Sequence, residues 1–275
     1  MTDGTDLVVE TVEVVGDMSD IVLPAELDRA VATAKEYPRS IEVARKSLYE
    51  LTTLDTESAQ LMFYGLKRGG KRIEGPSIRF AECVMNAWGN LRVYGRGIEA
   101  GATLLVAEGY AWDLQTNTAV GKRVSRRITK RDGSRYSDDM IAVAENAAVS
   151  IAIRNAILSI VPRPLYREAY EAAVKTSAGD TKTIKQRRSD WLVWWSEQGG
   201  KSDQMWDYLG IKGPDDIGGF ELRALYGLRT SIDEGMTSFL REMSLLKSPA
   251  IPEERAAAFD AAVMLTPETT PTVQA

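Results

Sequence analysis

Residues Gly65-Leu-Lys-Arg-Gly-Gly-Lys-Arg-Ile-Glu-Gly-Pro-Ser-Ile-Arg79 set five cations, Lys67, Arg68, Lys71, Arg72 and Arg79, among four glycines. Glycines let a backbone come close to a ligand, and cations beside open N–H groups hold phosphate. Gly65-x-x-x-x-Gly70-Lys71 nearly has the spacing of a nucleotide-binding P-loop. Arg72, however, stands where Ser or Thr must supply the hydroxyl for magnesium, and Ile73 to Pro76 separate the loop from the next helix. Nucleotide hydrolysis is set aside on these grounds. Two readings of the loop remain. It is a clamp on a phosphate backbone, aided by the helix start at Gly75-Pro76, or it is a solvated turn.

A second basic cluster comprises Lys122, Arg123, Arg126, Arg127, Lys130, Arg131 and Arg135. Its first half reads as a strand, where alternation sends Lys122 and Arg126 to one face and Arg123 and Arg127 to the other. Neutralising several phosphates with such residues makes affinity fall steeply with salt. Tyr94, Tyr110, Trp112 and Tyr136 lie near this cluster in the sequence and could stack single-strand bases or serve as core and cross-strand partners. Tyr136, in a loop, is the strongest stacking candidate.

The 275 residues include no histidine, which removes Ser-His-Asp and Cys-His catalysis, histidine-ligated metals and the usual base near neutral pH. No cofactor and no catalytic residue are expected. A carboxylate-magnesium site is the one metal chemistry left open, and the pairs Asp138-Asp139 and Asp215-Asp216 are equally explained as acids at helix starts. The lone Cys83 suits a small buried hydrophobe. The net charge of -5 is unevenly placed. Residues 1–28 hold eight Asp/Glu and no Lys/Arg, whereas residues 65–136 hold fourteen Lys/Arg against six Asp/Glu. An acidic arm beside a basic core points to an anionic partner for the core. No membrane-spanning run and no leader are expected, and the chain reads as cytoplasmic.

The elements that must carry these residues follow from periodicity. Residues 1–22 form an acidic, disordered or loosely strand-like arm. Leu27, Val31 and Ala34 space as a short helix ended by Pro38, and Ser40 caps a second. A third helix runs over about 56–66 and stops at Gly69-Gly70, and the next begins at Gly75-Pro76 and closes at Gly89. Residues 91–98, 103–112 and 119–129 alternate as a three-stranded antiparallel meander. A long helix at 138–160, apolar almost all round, lies across that sheet, and a shorter one follows at 165–176. This is an α+β core over 23–176. A linker at 177–183 leads to a small C-terminal helical module at 184–246, whose Trp191, Trp194 and Trp195 form its core or an exposed partner site. A mostly disordered tail covers 247–275, with one short helix at 253–264.

The order loop, helix, meander, long helix, with Arg68-Gly-Gly-Lys-x-Ile-Glu-Gly-Pro-Ser-Ile-Arg79, Tyr110-Ala-Trp-Asp113 and Ala147-Ala-x-x-x-Ala-x-Arg-Asn-Ala156, resembles phage-encoded single-strand annealing proteins. These are the broad RecT/Redβ/Erf/Sak group of recombination mediators. The resemblance covers roughly 45–175. It implies a β-β-β-α core, ATP-independent binding and annealing of single-stranded DNA in a bacterial host, and a homo-oligomeric ring or filament. A partner exonuclease or host single-strand binding protein would act beside it. It also makes Lys71, Arg72, Arg126 and Arg127 the leading DNA contacts in a positively charged groove. The acidic arm would compete for that groove or set subunit contacts. The alternatives are a carboxylate-magnesium nuclease and a structural or scaffold protein of a phage particle.

Overall fold

The computed structural model describes residues 10–11, 24–68, 71–130, 132–177, 179 and 184–246, with backbone alone at 10, 11, 24, 68 and 185. In chain order the elements are β1 (Glu10–Thr11), α1 (Pro24–Glu36), α2 (Ile41–Thr53), α3 (Thr56–Gln60), β2 (Phe63–Arg68), β3 (Lys71–Pro76), α4 (Ile78–Trp88), β4 (Leu91–Ala100), β5 (Leu104–Asp113), β6 (Thr118–Arg127), α5 (Asp138–Ile160), α6 (Arg163–Ser177), α7 (Ile184–Glu197), α8 (Ser202–Leu209), α9 (Gly219–Asp233) and α10 (Phe239–Leu246). The fold is α+β. An antiparallel β4-β5-β6 meander is packed by α5, a β2-β3 hairpin stands apart from that sheet, and the C-terminal helices follow.

Local signals explain most boundaries. The side chains of Ser40, Asp55 and Ser77 accept the N–H groups of Val43, Ser58 and Phe80, which sets the starts of α2, α3 and α4. Gly89, at φ 66°, stops α4, and Asn117, at φ 56°, turns β5 into β6.

The expected loop at 65–79 and the helix over 56–66 are corrected. The helix ends at Gln60, and the chain then forms a hairpin whose register pairs Phe63 with Pro76 and Arg68 with Lys71. The register leaves the two residues Gly69-Gly70 between the paired ends, a dipeptide whose composition in sequence signals a hairpin. Pro76 correspondingly closes β3, and α4 starts one residue later at the Ser77 cap.

α5 meets the sheet through small residues. A Cβ at Gly109 would run into the backbone of Ala152, so glycine there is what lets helix and strand approach. Leu105, Ala107, Val124, Ile128, Ala148, Ile151 and Ala152 form the resulting core. By length and composition α5 is apolar enough to cross a membrane, contrary to the expectation that no run reaches that length, and here its apolar residues pack on the strands.

A second core joins α2, α4, α5 and α6 around Phe80, Val84, Ile157 and Tyr166. The third belongs to the C-terminal module, where Trp191 and Trp195 are 4% and 1% exposed beside Leu222, Leu225 and Leu228. The tryptophans are therefore core residues. This module sits directly on the hairpin. A Cβ on Gly227 of α9 would fall 2.8 Å from the Gly65 nitrogen, and the Ser231 hydroxyl accepts the Gly65 N–H at 3.2 Å, its own proton within reach of the carbonyls of Gly227 at 2.8 Å and Gly65 at 3.0 Å. The expected linker at 177–183 and the short helix at 253–264 lie largely or wholly outside the described residues.

Candidate nucleic-acid interface

The register of the meander sorts its side chains. Lys122, Val124 and Arg126 stand opposite Gly109, Ala107 and Leu105, the face covered by α5. Arg123 and Arg127 stand opposite Glu108 and Leu104 on the other face. The alternation expected of β6 is thus observed. β4 adds Arg92, Tyr94 and Arg96 to that second face, opposite Trp112, Tyr110 and Glu108.

Across this face runs one row. Arg96 and Arg123 each approach the Glu108 carboxylate at 3.5 Å, and the Glu108 side chain is only 7% exposed. One buried carboxylate shared by two guanidiniums holds both cations in place. Beside it the Tyr94 and Tyr110 rings lie 5.2 Å apart at 32°. Burial, then the neighbouring Tyr94, push the Tyr110 phenol above its ordinary pKa. The Trp112 indole N–H donates to Asn117 Oδ1 at 3.2 Å. Arg92, Arg96 and Arg127 are exposed, while Tyr94, Trp112 and Arg123 are half-buried. Arginines set among aromatic rings on a strand face can hold phosphates and stack bases. Arg92 and Arg96 were not among the expected residues. Their signal was the alternation Arg92-x-Tyr94-x-Arg96, in phase with Tyr110 and Trp112.

The first basic cluster is divided by the hairpin. Lys67 and Arg72 share the face turned to the C-terminal module. Lys67 Nζ donates to the carbonyls of Asp207 and Tyr208 at 3.4 and 3.3 Å, at the C-terminal end of α8, where cations are favoured. The Arg72 guanidinium lies 4.7 Å over the Phe220 ring and 3.9 Å from Glu74, which also binds Arg223. Lys71 is exposed near the tip, and Arg79 pairs with Glu82 at 3.0 Å on α4. The Arg68 side chain and Arg131 lie outside the described residues.

The second cluster is divided too. Arg126 donates to the carbonyls of Gly235 and Met236 at 2.8 and 3.4 Å, in the turn after α9. Arg135 donates to the Gly101 carbonyl, and Lys130 is exposed in the turn that Asp132 and Ser134 close. Tyr136 is half-buried against the core of Leu105, Ile128 and Ile141, so it is held more tightly than a free loop residue. The structure therefore brings together Arg123 and Arg127 with Arg92 and Arg96. Of the four leading contacts, Arg72 and Arg126 point into the C-terminal module, while Lys71 and Arg127 do not share that direction. At the outer edge of β6, the backbone of Glu10 and Thr11 pairs with Val124 and Arg123.

One ion pair fixes the end of the sheet. Arg39 and Asp113 are buried together, Arg39 lies 4.3 Å over Trp88, and the Trp88 indole donates to Asp113 at 3.1 Å. Burial alone would raise the Asp113 pKa, but Arg39, Trp88 and the Thr116 N–H together hold it below the usual carboxylate range. Asp138 and Asp139 occupy the first turn of α5, and Asp215 and Asp216 a short 3-10 turn. Among the described residues no three Asp, Glu or Cys side chains gather where a metal ion could be held. Comparison of the chain with protein-family models, curated proteins and solved structures yields no match.

Proposed function

We propose that this protein binds single-stranded DNA and anneals complementary strands without ATP, as an assembly of copies serving homologous recombination. The observation that carries the reading is the sheet face that bears Arg92, Arg96, Arg123 and Arg127 together with the half-buried rings of Tyr94 and Trp112, Tyr110 lying buried beside Tyr94. Guanidiniums recognise phosphate oxygens through paired N–H groups and do so without regard to base identity. Aromatic rings at the same level favour strands whose bases are free to stack. A strand held by its backbone keeps its base edges available, so a complementary strand can pair with it, and no bond chemistry is required. The sequence stretches that resemble the annealing proteins lie in the same core.

The test is direct. Labelled complementary oligonucleotides are mixed with the protein in the absence of ATP, across a salt series. Binding and accelerated annealing that weaken linearly in log salt are expected. Absence of both removes the reading. Cleavage of the strands with Mg²⁺ or Mn²⁺ would replace it with a nuclease. Assembly without DNA binding would replace it with a scaffold role.

A further inference from the structure

We propose that Phe220, presented by the C-terminal module, is a base-stacking residue in a second single-stranded DNA contact at the β2-β3 hairpin. This rests on the DNA-binding reading above. Of the described phenylalanines, Phe63, Phe80 and Phe239 are 0%, 0% and 5% exposed, whereas Phe220 is 65% exposed. α9 turns Leu222, Leu225 and Leu228 into its tryptophan core, so Phe220 is not needed to fill it. The ring is nonetheless held. The Arg72 guanidinium lies 4.7 Å over it, and Arg72 and Arg223 are both drawn to Glu74. A guanidinium fixed on one side of an aromatic ring is an arrangement that accepts a planar base as a further layer.

The contact is distinct from the sheet face. The hairpin packs on α9, and the guanidinium of Arg154 of α5 lies 4.8 Å from the Tyr64 ring, while α5 covers the opposite side of the sheet. Lys67 takes no part, because its ammonium is committed to the α8 carbonyls. Duplex DNA keeps its bases stacked inside and offers this site only phosphates. A ring at Phe220 therefore favours single strands.

The experiment compares Phe220→Ala with the unmodified chain on two oligonucleotides of equal length, one of thymidines and one abasic. Phe220→Ala is expected to weaken thymidine-strand binding by about 5- to 100-fold while leaving abasic binding unchanged. Phe220→Trp should restore the affinity. Unchanged thymidine binding overturns the inference, and so does an equal loss on both strands, which would mark a structural or electrostatic role. If the unmodified chain binds neither strand, the broader reading falls and this inference with it.

Discussion

The Arg126 guanidinium donates to the carbonyl oxygen of Gly235 at 2.8 Å, across 109 residues of sequence. Its neighbour Arg127 rises from the opposite face of the same strand and is exposed. Two adjacent arginines thus have separate work.

Arg126→Ala should lower stability by about 1.5–3 kcal/mol, the range for hydrogen bonds that involve a charged group. Arg127→Ala should weaken oligonucleotide binding for every sequence and reduce the salt slope by about one. Denaturant titrations and salt-series binding separate the two. Equal behaviour of both variants would contradict the division.

Asp113→Ala should cost about 3–5 kcal/mol at neutral pH, because it leaves the Arg39 charge buried without its partner. Asp113 has a depressed pKa in the fold, so its contribution is fully present above the ordinary value near ~3.9 and is lost as pH falls through the folded value. Denaturant titrations at neutral pH and below pH ~4 should therefore show the difference between variant and parent shrinking on the acid side.

Glu234 behaves in the opposite sense. Burial raises its pKa, although it accepts the Ile78 N–H at the start of α4 at 3.1 Å. Its ionised form is thus disfavoured in the fold, and stability rises as pH falls through the raised value towards the ordinary one. Glu234→Gln keeps an acceptor without burying a charge. It should match or exceed the parent's stability at neutral pH and lose that advantage in acid. Glu234→Ala should instead lose about 0.5–2 kcal/mol, as when a cap is removed. Thermal melts at both pH values decide the matter.

Gly227→Ala should destabilise by about 1–3 kcal/mol, since its methyl group would press on the Gly65 backbone. The loss should be visible as reduced protection of the β2 amides in hydrogen exchange. An unaffected hairpin would mean that the module can be shifted without cost.

Deletion of residues 1–20 should tighten oligonucleotide binding at low salt, with the gain fading as salt rises. The backbone of Glu10 and Thr11 pairs with β6 beside Arg123, and the deleted stretch carries six Asp/Glu and no Lys/Arg. Unchanged affinity would show that the acidic stretch does not act on this face.

The meander and α5 were legible because their patterns are local. Alternation over 91–129 and an apolar run with Ser137 before it are complete within a few turns of chain. The hairpin was not legible, since Ala59 to Leu66 is short enough to satisfy either period and Gly69-Gly70 serves as a helix stop or a turn. At the site, alternation told which arginines of β6 share a face. It could not tell which face a distant segment would occupy. Arg72 and Arg126 look like their neighbours in sequence, and their commitments to Phe220 and Gly235 exist only after folding. Arg92 and Arg96 stand singly at alternate positions of β4, so no run of consecutive cations marks them in the sequence.

The seat of the hairpin has a consequence for how the protein is made. Gly65 meets Ser231, which lies 166 residues later. A ribosome must therefore release the whole α+β core and most of the module before that face of β2 and β3 meets α9. Until then Lys67, Arg72 and Glu74 face water, and the hairpin must wait, half-supported, through most of synthesis.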